Sequence, residues 1–276
     1  MRCSKGKKGA ECAGFLTPVW GGNLGGAFCD IRWRIYFLYA IITVIMAYLN
    51  IGELCMWREE SVGEISDGRY YTANDMVKIG TNDCAGCSDC CRMNPVIVLD
   101  PCDVFEMSRF LGESVEDLLN EKIELKVIDG LILPVLLMDE SGACTFLDEN
   151  GRCSIHVLRP GICRLYPLGR SWENGDFRYI LQVNECTHCN GSKIKVKKWL
   201  GIPDLPAYEE YCRSWHNFLE QVRAFLDHSD PEGTYRRQIC VWLLEDFFLC
   251  DWNVDDFYTV FNEKLKAARQ RLGFAG

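Results

Sequence analysis

Hydrophobic and polar positions divide the chain into three stretches of different character. Residues 35–51 are almost continuously apolar. Between residues 96 and 183 the apolar runs are short and rich in β-forming residues; beyond about Lys195 they recur at helical spacing. In the middle stretch, 96–99 reads as a buried strand. Asp100-Pro101 then starts a helix, with proline at its first position and Asp103 in its first turn, which ends near Leu111-Gly112. Ser114 caps a second helix, with Asp117 three residues on. The runs 122–128 and 131–138 flank Asp129-Gly130, a two-residue loop that predicts a hairpin. A shorter hairpin is expected around Asn150-Gly151, and a further strand over 177–183.

In the last stretch Tyr208, Tyr211, Trp215, Phe218, Leu219, Val222, Phe225 and Leu226 fall on one helical face, read as core rather than a partner groove. The run Asp227-His228-Ser229-Asp230-Pro231 ends that helix. Another helix runs from Thr234 to about Cys250, and the last from a cap at Asn253 to Gly273. The expected fold class is α+β. It has a small cysteine-rich core of short antiparallel strands, hairpins and loops, followed by a C-terminal helical region of about three helices. The boundaries read as an extension over 1–55, a cysteine-cluster domain over 56–200 and a helical region over 201–276, with no repeat of domain-building length.

The apolar run 35–51 is at the short limit for a membrane span, and Arg32 and Arg34 precede it. Taken literally, it is a single-pass anchor with the bulk of the chain outside. The competing reading makes 1–55 an upstream extension, with translation starting at Met56 and a cytoplasmic product. The cysteines favour the second, because clustered thiols outside the cell would tend to form disulfides. A membrane is therefore expected as a partner only if 35–51 is a genuine span.

Composition is ordinary, at 48% hydrophobic and 25% charged residues, except that 17 of the 276 residues are cysteine. The formal charge of −9 without a basic stripe argues against a nucleic-acid partner. The cysteines cluster rather than spread, which favours metal or redox chemistry over a disulfide framework.

Cys84, Cys87, Cys90 and Cys91 stand in the run D-C-A-G-C-S-D-C-C-R. A C-x-x-C-x-x-C loop presents three thiolates from one turn, which is half or more of a soft-metal site. Adjacent side chains tend to diverge, so Cys90 and Cys91 are not expected to serve one ion in the same way. Further ligands must come from elsewhere. The second hairpin brings Cys144 and Cys153 near one another, Cys163 follows in the irregular R-P-G-I-C-R, and Cys186 lies just after the 177–183 strand.

These segments together resemble the YkgJ-like family of cysteine-cluster proteins, described as a zinc- or iron-chelating domain and named for its C-x-x-C-x-x-C-C motif. The block C-T-F-L-D-E-N-G-R-C-S-I-H-V-L-R-P-G-I-C-R-L-Y-P is similar to the family pattern almost residue by residue. His156 stands where the family usually has tyrosine, and Tyr166 where it often has phenylalanine. V-N-E-C-T-H-C-N-G-S-K-I-K-V-K-K-W-L resembles a third family block, in which Cys186 is the family cysteine and Cys189 an extra. The resemblance covers about residues 56–272. It implies a metal-binding core from Cys84, Cys87, Cys90, Cys91, Cys144, Cys153, Cys163 and Cys186.

Eight thiolates are too many for one tetrahedral zinc and suit a cubane with structural thiols, or two centres. The expected cofactor is an iron–sulfur cluster of the 4Fe-4S type, with zinc as the alternative. Tight C-x-x-C-x-x-C loops recur in cubane ferredoxins, whereas zinc pairs two C-x-x-C knuckles and only one such run stands here, beside Cys186-x-x-Cys189. Arg159 and Arg164 flank Cys163; they either offset cluster charge or receive an anionic substrate, or else brace a turn. Cys212, Cys240 and Cys250 read as core, as does Cys102 despite its place in the first turn of a helix. His188 lies between Cys186 and Cys189, and its ligand role is not favoured.

The function expected is that of a metallocluster protein with a redox or accessory role and a redox or protein partner. The alternatives are a zinc-stabilised interaction module and a cluster-dependent protein lysine N-methylase, by analogy with the flagellin methylase group. The chain carries no dedicated S-adenosylmethionine loop and no radical-type C-x3-C-x-x-C.

Overall fold

A computed structural model of the chain describes residues 62–274, apart from 80–86, 94, 120, 184, 187–190, 231–233, 251 and 253. The run 35–51 lies outside the described residues, as do Met56, Cys84, His188 and Cys189. No helix of the described residues is long and apolar enough to cross a membrane.

The described elements in chain order are α1 (Val62–Ile65), β1 (Ser66–Tyr71), β2 (Met76–Lys78), α2 (Pro101–Leu111), α3 (Val115–Leu118), β3 (Ile123–Ile128) and β4 (Leu131–Leu136). After these come α4 (Gly161–Leu165), β5 (Leu168–Glu173), β6 (Asp176–Gln182), β7 (Lys193–Lys195) and α5 (Val196–Leu200). The long helices α6 (Leu205–Ser229), α7 (Thr234–Phe247) and α8 (Phe257–Leu272) complete the chain. The fold is α+β, with short antiparallel pairs and a helical C-terminal region, as expected.

Local signals account for most boundaries. Asp100 caps α2: its carboxylate accepts from Asp103 N at 2.9 Å, and the Asp103 side chain accepts in return from Asp100 N at 3.2 Å. Ser114 and Asp117 make the same reciprocal cap on α3. Asp129 and Gly130 both take left-handed conformations, with φ of 48° and 74°, which is the type I′ geometry that matches strand twist. That turn sets the β3–β4 register, Ile128 opposite Leu131 through Ile123 opposite Leu136.

All six residues of β4 are buried, because α7 packs against it. The run 96–99 departs from its expected form. It is not a full strand but an extended segment on the free edge of β4, where Leu99 N donates to Pro134 O and Leu136 N to Ile97 O, each at 2.9 Å. Asp100 then turns the chain into α2, which limits the pairing to those bonds.

A second sheet has the order β1–β6–β5, all antiparallel. Its β5–β6 turn, Asn174-Gly175, has φ of 51° and 79°. Here the sequence reading foresaw β6 and missed β5, although Asn-Gly is as strong a turn signal as Asp-Gly. A third pair, β2 with β7, joins the stretch before the cysteine turn to the stretch after Cys186.

The aromatic stripe of α6 is core, as read. Tyr208, Tyr211, Trp215, Phe218, Leu219, Val222 and Leu226 are buried, and Phe225 is partly so. Tyr211 meets Phe261 of α8 edge-on at 4.6 Å, and Phe105 of α2 stacks on Phe257 at 5.2 Å. The cap of α8 is Asp256, whose carboxylate accepts from Thr259 N, rather than Asn253, which falls outside the described residues. Gly273, left-handed at φ 71°, ends that helix where expected.

Candidate metal centre

From Cys87 to Arg92 the cysteine run is folded into a tight turn. Ser88 is left-handed (φ 58°) and precedes a single 3-10 turn over Asp89–Cys91. Cys91 N donates to Ser88 O and Arg92 N to Asp89 O, both at 2.9 Å. The Arg92 Nε–H donates back to Ser88 Oγ at 3.1 Å and holds the turn from outside. Within it, the sulfurs of Cys90 and Cys91 lie 3.8 Å apart. The expected divergence of these neighbours is therefore absent: the 3-10 conformation swings both thiols to one side.

Two further segments are brought to this turn. Cys144 N donates to Cys91 O at 2.8 Å, which fixes the start of the 144–153 segment against it. That segment is not the strand hairpin expected around Asn150-Gly151. It is a loop held by isolated bridges, Met138 with Cys144 and Leu147 with Cys153, and closed by Asp148 N to Arg152 O at 2.8 Å. The Asp148 side chain accepts from Asn150 N and Arg152 N, so a side chain supplies what a longer strand ladder would have. Cys163 lies in α4, and the Asp103 carboxylate accepts from Gly161 N at 2.8 Å. One aspartate thus caps α2 and tethers the Cys163 turn.

Charges on these thiols act on one another. Cys91 is pushed up by the hydrogen bond it donates to Cys90, by burial, and by the charges of Cys90, Cys163 and Cys144. Cys90 is lowered to about 7, chiefly by that same hydrogen bond, with Arg159 adding to it. Burial raises Cys163, and Asp103, Cys144, Cys153 and Cys90 raise it further. Cys144 and Cys153 are both raised mainly by burial. Cys90, Cys91, Cys144, Cys153 and Cys163 therefore share one electrostatic neighbourhood. Their charges oppose one another, and a soft cation would relieve that opposition.

Cys87 and Cys186 are half-buried free thiols. Cys186 follows Glu185, whose carbonyl oxygen accepts from the Tyr166 hydroxyl. Among the described residues, no group of three His, Cys, Asp or Glu side chains is drawn up to hold one ion. Thiols fit a soft metal in kind.

Arg159 meets His156 through its Nη1, and Arg164 donates to Val157 O. Tyr166 takes the place of the family phenylalanine with its hydroxyl bonded, and Trp199 Nε1 donates to Tyr166 O at 3.2 Å. Cys212 and Cys240 are buried, as expected. Burial and the nearby carboxylates of Asp100, Asp103 and Glu106 raise the Cys102 thiol, so the helix dipole does not activate it. Cys250 is partly buried and raised to about 11, mainly by burial.

Behind the thiols lies a polar layer that the sequence did not disclose. Arg170 of β5 donates to the Tyr208 hydroxyl at 3.1 Å, with its guanidinium over the rings of Phe177 and Tyr208 at 5.3 and 5.5 Å. The Tyr208 hydroxyl sits so close over Gly161 that an added Cβ would lie 1.9 Å from it. Burial and the neighbouring Asp100 raise Asp103 well above the usual carboxylate range. Gly161 carried a signal as the small residue in R-P-G-I-C-R, and Tyr208 as part of the core-facing stripe; nothing marked Arg170 or the meeting of the three.

Residues 83–190 match the family model described as "CxxCxxCC: Putative zinc- or iron-chelating domain". The resemblance read from the cysteine motifs is thus shown over that stretch, which is less than half of the chain. The "Uncharacterized protein MJ0661" of Methanocaldococcus jannaschii is 25% identical over 162 residues, covering 53% of this chain and 85% of that protein. No solved structure matches the chain.

Proposed function

We propose that the chain holds an iron–sulfur cluster, of the 4Fe-4S type, on the thiols gathered around Cys90 and Cys91, and serves a redox or accessory role in a reducing compartment. One observation carries the reading: the charges of five thiols, Cys90, Cys91, Cys144, Cys153 and Cys163, act on one another from three separate backbone segments. That is more sulfur than one tetrahedral ion takes, and Cys84, Cys87 and Cys186 extend the proposed set. Arg159 acts on Cys90 and Cys153, which supports its proposed part in offsetting the charge of the cluster thiols, with Arg164 beside it in that proposal. When bound, the cluster would supply one-electron transfer or Lewis acidity. The chain's own part is to present the thiols, keep them half-buried and tune their charge.

A second reading has a specific observation in its favour. Ligands on one tetrahedral ion with bonds of about 2.3 Å stand about 3.8 Å apart. The Cys90–Cys91 sulfurs have that separation. A single zinc on this pair, with Cys144 and Cys163 completing its four ligands, would make the segment a zinc-stabilised interaction module.

Iron, zinc and acid-labile sulfide measured on anaerobically purified protein, with its visible spectrum, separate the two. Iron with matching sulfide and a broad charge-transfer band supports the cluster. Stoichiometric zinc in a colourless protein sinks it in favour of the second reading.

A further inference from the structure

The loops that carry the thiols also present an unusual surface. In a chain of net charge −9, Arg92, Arg152, Arg159 and Arg164 border the cysteine turn. The Arg92 Nη2 lies beside Gly151, where an added Cβ would be 3.2 Å from it, so Arg92 and Arg152 flank the same tight loop. Across the thiols, Arg159 meets the His156 ring and Arg164 donates to Val157 O. Among the described residues none of these four arginines makes an ion pair, and the Nε of Arg159 has no hydrogen-bond partner. Elsewhere three buried or half-buried arginines are paired, Arg213 with Asp176, Arg223 with Glu220 and Arg236 with Asp227, while Arg170, Arg237 and Arg269 make no ion pair among the described residues.

The arginines crowd one another. Desolvation lowers His156, and Arg159, Arg164 and Arg152 lower it further; Arg164 is lowered by burial and then by Arg159. Asp103 and Glu106 partly offset Arg164, and Asp139 lies within reach of the Arg92 charge. Between the arginines stand bare apolar side chains, Val157 at 77% exposure and Ile162 at 39%, with Met93 beyond Arg92 at 53%.

We propose that this arginine-bordered face around the thiols is a docking surface for a protein partner that presents clustered carboxylates around an apolar contact. The partner's sign follows from charge complementarity: Arg152, Arg159 and Arg164 act together on His156, so the ground around that ring is positive although Asp89, Asp148 and Glu149 stand in the same loops, and it favours an acidic partner. A protein fits better than a nucleic acid. The basic groups are arginines interspersed with aliphatic side chains, as interface centres are, and the exposed His156 ring among them is engaged by Arg159 rather than left open to stack a base. The surface itself does not depend on the metal. Its role as the partner face of a redox centre rests on the proposed function.

The test uses the full chain, purified anaerobically with its native metal. It is titrated calorimetrically with a glutamate-rich peptide carrying leucines, a lysine-rich peptide of equal length and a single-stranded oligonucleotide of equal charge. Binding of the glutamate peptide alone, weakened about tenfold or more by the double change Arg152→Glu and Arg159→Glu, is expected. Val157→Ser is the second variant; it leaves the charges in place and is expected to weaken binding several-fold with an unchanged circular dichroism spectrum. No binding of the glutamate peptide, equal binding by both variants, or tighter binding of the oligonucleotide overturns the proposal. Metal content is measured in parallel. A metal-free chain that still binds the peptide through Arg152 and Val157 refutes the metal reading and leaves this one standing.

Discussion

Replacing Gly161 by alanine places one methyl group against the most constrained oxygen near the thiols. The new Cβ would lie 1.9 Å from the Tyr208 hydroxyl and 3.1 Å from its Cζ. Neither partner yields cheaply. Tyr208 is 5% exposed and receives a hydrogen bond from Arg170, and Gly161 N is bonded to Asp103. Overpacking of this kind costs about 1–3 kcal/mol. The strain falls on α4, so the Cys163 thiol shifts with it and metal is lost more readily to a chelator. Tyr208→Phe removes the clashing oxygen but leaves the buried Arg170 guanidinium short of an acceptor, at about 1–3 kcal/mol. Combined, the two changes should cost less than their sum by about 1–2 kcal/mol, because the phenylalanine makes room for the methyl group. Urea unfolding of the single and double variants, with chelator-release kinetics of the bound metal, reads both effects. Strict additivity, or a Gly161→Ala protein as stable and as retentive as the parent, would refute the reasoning.

Three further outcomes are expected. Cys84→Ala and Cys163→Ala should each lower bound metal in elemental analysis while Cys212→Ala retains it; equal loss in all three would show the proposed ligand set to be wrong. Asp103→Ala strands Gly161 N and removes the half of the α2 cap that accepts from Asp100 N, and should cost about 1–3 kcal/mol in denaturant unfolding, with Asp103→Asn milder because its amide oxygen still accepts one of the two bonds. His216 stacks on Trp172 at 3.6 Å and is lowered to about 4 chiefly by burial. The unfolded chain therefore takes up this proton first. Stability is full above pH ~6.5 and falls as pH drops toward 4, by about 1 kcal/mol between pH 7 and 5 once partial exposure is discounted. His216→Gln should flatten that slope, and an undiminished slope in the variant assigns it to another group.

Much of the architecture was written in local chemistry. Asp129-Gly130 fixed a hairpin and its register, Asp100-Pro101 started a helix, and the α6 stripe named its own buried face before any coordinate did. Each of these depends on residues within a few positions of one another. The strands β1, β2 and β7 escaped notice because they are short, polar on most faces and defined by partners far along the chain. Asn174-Gly175 was legible and passed over. At the candidate site the thiols announced themselves by spacing, whereas their supports did not. The α6 stripe marks Tyr208 as buried, but its bond to Arg170 comes from the approach of α6 to β5, a tertiary event that leaves no periodic trace. The mutual orientation of Cys90 and Cys91 was misjudged for a related reason. Adjacent side chains diverge in extended chain, and only the 3-10 turn after left-handed Ser88 brings both sulfurs to one side.

The pairing of β2 with β7 has a consequence for how such a segment can travel between proteins. Lys78 lies opposite Lys193, so the chain enters and leaves the 83–190 stretch at neighbouring points of one ribbon. A segment whose two ends meet has the geometry that tolerates insertion into a host loop, since it demands no separation of the host's own ends. The thiol-bearing stretch is in that sense a cassette. Its flanking helices could be exchanged for other helices that cover β4 and the back of Gly161, while the cysteine turn and its closing ribbon stayed as they are.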